Sequence, residues 1–360
     1  MTGTGNLTDK KSAVTRSPLT VARHIDLGPF TTFGVPGRAR FYVALDSPET
    51  LEEAIAWHRP RKSPLLVLGG GSNVLLQHDF PGLVLHVRTR GIEVLSETAD
   101  TVTIRIAAGE NWHGLVMYTL ERGWFGLENL ALIPGTVGAA PIQNIGAYGV
   151  ELDEFIVGVD ATEIASGNAV VFDRDQCEFS YRDSLFKNAE KGRFLVTAVT
   201  LRLSRHARVN TDYHALQQEL KASQADPQSA TPQQVAEAVC RVRRRKLPDP
   251  AKLGNAGSFF KNPVVAREVY QRLQSEYPQM PSFAIPGDDR RVKLPAGWML
   301  ERAGWKGVRM GTAGVHEEQA LVIVNHGGAT AEDVLELAAA MQADVQSRFG
   351  ITLEREVQVV

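Results

Sequence analysis

The segment IPGTVGAAPIQNIGAYG, Ile133–Gly149, holds four glycines, three alanines, one threonine and two adjacent amides, Gln143 and Asn144. Neither helical nor strand periodicity runs through it. Residues this small let backbone run close against something flat, and amides satisfy the polar edge of a heterocycle. The alternative is a tight structural loop, although long glycine-rich loops are commonly functional. Gly135, Thr136, Gly138, Ala139, Gln143, Asn144, Gly146 and Ala147 are its candidate ligand contacts.

Upstream, PLLVLGGGSNVLL (Pro64–Leu76) reads as a buried strand, a glycine turn and a second apolar run. Gly69, Gly70, Gly71, Ser72 and Asn73 leave room for a ligand, and their consecutive N–H groups make an anion nest that suits a pyrophosphate. The turn is not a G-x-G-x-x-G fingerprint, since no helix pattern follows and no acidic residue lies about 20 residues on. Alone it also reads as a structural turn. The two loops together point to a dinucleotide lying across both.

Downstream, GNAGSFFKNP (Gly254–Pro263) places Ser258 among small residues and then against Phe259 and Phe260, with Lys261 and Asn262 close by. A surface loop needs no such apolar wall, and a buried strand does not begin Gly-Asn-Ala-Gly. In FSYRDSLFK (Phe179–Lys187), Arg182 can grip a carboxylate with two parallel bonds or form a structural pair with Asp183. RVRRRK (Arg241–Lys246) complements the dipole at a helix C-terminus, and Lys246 adjoins a proposed cleft. In a final strand ITLEREVQVV, alternation sets Glu354 and Glu356 on one face without choosing between them.

The rest is that of an ordinary globular protein. Of 360 residues, 43% are hydrophobic and 22% charged, and the net charge of -2 argues against nucleic-acid binding. Cys177 and Cys240 form neither a disulfide framework nor a zinc site, which fits a reducing cytosol. No metal is expected. No apolar run is long enough to span a membrane, and residues 1–23 read as a disordered tail without the apolar middle of an export signal. Helices are expected at Pro48–His58 behind Ser47, at NWHGLVMYTLERG closed by Gly123, after the Thr231/Gln234 capping box, and from Thr330 to Phe349. FIVGVDATEI and NAVVF read as strands joined by Ser166-Gly167-Asn168, and FLVTAVTLRL as another. This irregular mixture favours α+β over a doubly wound sheet.

Taken together, GGGSN, IPGTVGAAPIQNIGAYG, YRDSLFK, KLPDP, GNAGSFFKNP, KLPAGWMLE and LEREV occur in the order seen in the UDP-N-acetylenolpyruvoylglucosamine reductase family. The chain resembles its longer, type I form from about His24 to the C-terminus. The resemblance implies an FAD-binding domain of the vanillyl-alcohol-oxidase (PCMH) type over residues 24–247, with subdomains 24–90 and 91–247 joined by the final strand 351–360. A C-terminal α/β substrate-binding domain would occupy residues 248–350. It implies FAD and NADPH as cofactors and a catalytic trio of Arg182, Ser258 and Glu356. Tyr213, Lys246, Asn262, Lys293, Lys306 and Gln319 would bind substrate. Arg355 stands where the pattern leads one to expect proline.

The implied reaction reduces an enolpyruvyl ether of a UDP-sugar to a lactyl ether, in the cytoplasm, by a monomer that touches neither membrane nor nucleic acid. Ser258 would donate a proton, while Arg182 and a protonated Glu356 of raised pKa would stabilise developing charge. The rival readings are an oxygen-using flavin oxidase, a nucleotide-sugar binding protein on a relict flavin fold, and a flavin-free dehydrogenase.

Overall fold

Apolar runs bounded by turn residues build the first sheet. In a computed structural model, described for residues 19–285 and 287–360, strands Ala22–Asp26, Arg38–Leu45, Phe80–Val87 and Leu65–Leu68 lie side by side in that order. The first pair is antiparallel and the other two are parallel. The loop leaving Leu68, which is Gly69–Asn73, therefore sits at the carboxyl end of the parallel strands, the usual ligand edge of such sheets. Helix Pro48–His58 forms as predicted: Ser47 accepts from Thr50 N, and Leu51, Ala54 and Ile55 are buried. Most of the expected tail, residues 1–18, lies outside the described residues; the first strand begins at Ala22, slightly before His24.

A second sheet is wholly antiparallel, in the order Ala169–Asp173, Ile156–Glu163, Phe194–Ser204, Thr101–Ala107 and Ile92–Glu97. Its hairpin turns at Ser166–Asn168, with Thr162 opposite Ala169 and Gly167 at φ 78°. Helices Trp112–Glu121 and Pro232–Lys246 share a core with it, including Ile104, Trp112, Leu115, Val199, Leu201, Val235 and Val239. The Thr231/Gln234 capping box is formed. Helix His214–Ala222 was not legible, since its cap residue Tyr213 makes no side-chain bond and it buries only Leu216, Glu219 and Leu220.

The C-terminal part carries antiparallel strands Gly254–Ser258, Val322–Asn325, Ala313–Val315 and Arg309–Met310. Helix Ala331–Phe349 packs on them with Val334, Leu337, Met341 and Val345 buried. Thr330 caps it, accepting from Asp333 N while Asp333 accepts from Thr330 N, and Gly350 ends it at φ 67°. Thr330→Ala should therefore lower unfolding free energy by about 1 kcal/mol, read as a reduced urea midpoint at unchanged slope.

The expected strand over 351–360 is shorter than the sequence suggests. Only Gln358–Val359 is a strand, paired in parallel with Val74–Leu75. The preceding residues change partners as they cross the molecule. Leu353 O accepts from Gln342 Nε2 at 2.7 Å, Glu356 N donates to Phe259 O at 2.8 Å, and Arg355 bridges Phe260. No single ladder can hold a segment that crosses between sheets. Its function is to join the Ser258 loop to the first glycine loop.

Candidate active site

A cleft of about 610 Å³ opens where these parts meet. Gly69–Asn73 forms one wall, and Gly135, Thr136, Gly138, Ala139, Gln143 and Gly146 form another. The loops pack backbone on backbone: a Cβ on Gly70 would lie 2.8 Å from Gly135 Cα, and one on Gly69 would lie 2.5 Å from Thr136 Oγ1. Ser72 Oγ donates to Pro134 O at 3.1 Å, and Asn73 Nδ2 donates to Gln143 Oε1 at 2.7 Å and to Glu356 O at 3.2 Å. Asn73 and Gln143 thus hold the two loops together. Leu65, Val67, Ile164 and Phe194 line the same cleft and give it an apolar end. A side-chain-free cradle beside an apolar slot fits a dinucleotide. Gly70→Ala must force the loops apart. We expect at least about tenfold weaker FAD binding, seen as a lost 450 nm band with far-ultraviolet dichroism unchanged.

Asn144 and Ala147 do not line the cleft. Asn144 is fully buried, and its amide donates to Asp153 Oδ1 at 3.1 Å and to Ser180 O at 3.3 Å. It organises the loop from behind.

Ser258 lines the cleft at the end of strand Gly254–Ser258. Asn255 pairs with Val324, but Ser258 rather than residue 257 pairs with Val322, which makes a bulge. Gly257 adopts φ 73°, and nothing lies within 4 Å of where its Cβ would be. The glycine is therefore needed for the left-handed turn of the bulge, which re-aims the next side chain. Phe259 and Phe260 are buried, edge to face at 5.3 Å. They anchor the loop as expected, each contributing roughly 1.5–3 kcal/mol by burial. Ser258 Oγ has no hydrogen-bond partner among the described residues.

Arg182 sits at the tip of a tight turn closed by Ser180 N to Asp183 O at 3.2 Å and Asp183 N to Ser180 O at 3.1 Å. Its φ is 56°, a left-handed conformation that costs a non-glycine residue roughly 1–2 kcal/mol. Strain of this kind gathers at functional sites. The guanidinium donates to Gly146 O and, at 3.4 Å, to Asn144 O, and its Nε lies 3.5 Å from Glu356 Oε1. Asp183 is not its partner; Asp183 accepts from Ser184 N at 3.0 Å and Asn188 Nδ2 at 2.6 Å.

The two acids of the final segment part company. The Glu354 side chain is 71% exposed and pairs with Lys261 at 2.5 Å, whereas that of Glu356 is 14% exposed. Residues 354–356 run along Phe259–Lys261, with Lys261 N donating to Glu354 O and Glu356 N to Phe259 O, and of the two acids only Glu356 is set against Arg182. Burial pushes the Glu356 carboxyl above the usual carboxylate range, against the pull of Arg182, Lys187 and Lys261. Desolvation of the charged form is the cause.

Of the residues assigned to substrate, Asn262 lines the cleft, and its Oδ1 accepts from Ala296 N at 2.9 Å. Lys293 Nζ lies 4.0 Å above the Tyr181 ring, itself part of the lining. Tyr213 is exposed and meets Tyr148 edge to face at 5.3 Å. Lys246 is exposed, Lys306 pairs with Glu301 at 3.1 Å, and Gln319 accepts from Leu321 N at 3.5 Å. These four lie off the cleft walls. The basic run instead sends Arg243 inward, where Nε donates to Leu132 O at 3.2 Å without a carboxylate partner among the described residues. Burial pulls its guanidinium below the usual arginine range, against attraction from Tyr148 and Cys240. Helical phase could have found it, since Val239 and Val242 mark the buried face. Lys187 and Tyr181 were also missed.

Two family models match separate parts of the chain. A family model described as the C-terminal domain of UDP-N-acetylenolpyruvoylglucosamine reductase matches residues 249–360, and one described as an FAD binding domain matches residues 39–173. A UDP-N-acetylenolpyruvoylglucosamine reductase of Chromobacterium violaceum is 50% identical, covering 92% of this chain and 96% of its own. Another, of Pseudomonas aeruginosa, is 48% identical over 94% of this chain and 98% of its own. The crystal structure of the enzyme of this name from Thermus caldophilus aligns with a TM-score of 0.66 at 26% identity, covering 95% of this chain and 99% of that one.

Proposed function

The chain belongs to the UDP-N-acetylenolpyruvoylglucosamine reductase family and is an FAD-dependent oxidoreductase, and on that footing we propose that it reduces UDP-N-acetylglucosamine enolpyruvate to UDP-N-acetylmuramate with NADPH, for peptidoglycan precursor synthesis. The observation that supports this most is the meeting of Arg182, Glu356 and Ser258 on one cleft, beside two glycine loops, from three distant parts of the chain. Binding alone would not need a proton donor, a buried acid and a strained arginine together. No helix among the described residues is long and apolar enough to cross a membrane.

The substrate double bond carries an ionised carboxylate and an ether oxygen, so it accepts hydride poorly. FAD, when bound, would supply a hydride for the terminal methylene, with NADPH as its source. Negative charge then grows on the adjacent carbon and its carboxylate. Arg182, fixed by the Gly146 and Asn144 carbonyls, and protonated Glu356 are the groups that meet it. Fixed donors in a dry site act strongly on such charge. Ser258 Oγ gives its proton to the carbon bearing the carboxylate. Gly69–Asn73 and Gly135–Gly146 would hold the pyrophosphate and flavin, and residues 248–350 the nucleotide sugar through Asn262 and Lys293, with Lys246, Lys306, Gln319 and Tyr213 reaching it as it binds. Residues 24–247, divided near 90, would form the FAD domain.

The visible spectrum tests this reading. Flavin bands should bleach on NADPH and recover, without air, on adding the enolpyruvyl nucleotide sugar. Bands that stay bleached with the nucleotide sugar and recover only when air is admitted would refute it.

A further inference from the structure

The turn that carries Arg182 has a second unusual feature. Lys187, five residues on, folds back so that Nζ donates to Arg182 O at 3.0 Å. Its ammonium is half-buried, lines the cleft, and forms no ion pair among the described residues. A lysine ordinarily keeps its charge in water. Burial and the nearby Lys261 pull its pKa below the usual lysine range, while Glu356, Asp183 and Glu354 favour the charged form. The segment between them is fixed: Ser184, buried, donates to Ile142 O at 2.7 Å, Leu185 N donates to Cys177 O at 2.9 Å, and Lys187 N donates to Ser184 O at 3.1 Å. The lysine stem therefore spans from a rigid base to the carbonyl of the one left-handed residue in the turn.

We propose that Lys187 is a positioning residue, whose ammonium holds the Arg182 peptide in its left-handed state and so aims the guanidinium at the reacting carboxylate. A charged donor bonds a carbonyl more strongly than a neutral one. Bound in this way, the carbonyl cannot swing to the extended orientation an arginine would otherwise prefer. The proposal rests on the assignment of Arg182 made above.

The test is a crystal structure of FAD-loaded Lys187→Met beside anaerobic half-reactions. The expected structure shows Arg182 relaxed to negative φ, with its guanidinium off the Asn144 and Gly146 carbonyls. Reoxidation by substrate should slow about 10²-fold, as displacement of a reacting group commonly does, with reduction by NADPH unchanged. Lys187→Arg should restore most of the rate, and Lys187→Met should add nothing in an Arg182→Lys background. An unmoved Arg182, equal slowing of both half-reactions, or an undiminished effect in that background overturns the proposal. If Arg182→Lys alone leaves reoxidation untouched while Lys187→Met still releases the turn, the role given to Arg182 fails and the hold of Lys187 on it stands. Should Lys187→Met not fold, Lys187→Gln, with a shorter neutral donor, carries the same comparison.

Discussion

With Ser258 replaced by alanine, NADPH still bleaches the flavin at the normal rate, while reoxidation by the enolpyruvyl substrate slows by about 10⁴-fold, the upper range for a lost proton donor. The asymmetry follows from where the hydroxyl stands. The bulge at Gly257 turns Ser258 into the cleft. The loops that hold the cofactor are built from other segments, with Gly70 against Gly135 and Asn73 against Gln143. Removing one oxygen leaves those contacts intact. Anaerobic stopped-flow absorbance at 450 nm follows each half-reaction separately. If both slow alike, Ser258 acts on cofactor placement and the assigned role is wrong.

Glu356 gives the second large effect, and its sign depends on pH. Its carboxyl is held above the usual range by burial. The acid form, which can donate a hydrogen bond, is populated below that raised pKa. Reoxidation should therefore be fastest at the acid side and fall as pH rises through the folded pKa. Glu356→Ala removes a donor to developing charge and should slow the step by about 10²–10³-fold. Glu356→Gln keeps an N–H donor, so it should retain more activity and lose the descending limb. A limb that survives in Glu356→Gln would show that another group titrates. Arg182, Lys187 and Lys261 are the charged groups that oppose the shift, and lysine substitutions there should move the limb to higher pH.

The parts of this design visible in the sequence were those set by local chemistry. The Thr231/Gln234 box, the Ser47 cap and the Gly350 stop each act within one turn, so a short window contains their cause. The two glycine loops were legible for a similar reason, because few other uses need so much exposed backbone. What stayed hidden depended on distant partners. The bulge at Gly257 exists only relative to Val322 and Val324, more than 60 residues away in sequence. The opposite fates of Glu354 and Glu356 are set by Phe259–Lys261, which alternation along residues 351–360 cannot reveal. Arg243 lies in a basic run whose charges the helix dipole already accounts for, and only its helical phase relative to Val239 sets it inward. Lys187 ends the YRDSLFK stretch, yet nothing in its residue type foretells a bond to the Arg182 carbonyl.

The crossing of residues 351–359 has a consequence for biogenesis. A nascent polypeptide that has reached Gly350 already contains both glycine loops, Arg182 and Ser258, but it lacks Glu356 and leaves Val74–Leu75 as an unpaired strand edge. An open edge of that kind is prone to wrong pairing. The cleft lining is therefore complete only once Glu356, Gln358 and Val359 are in place, and a chain clipped before them would present that open edge to other strands.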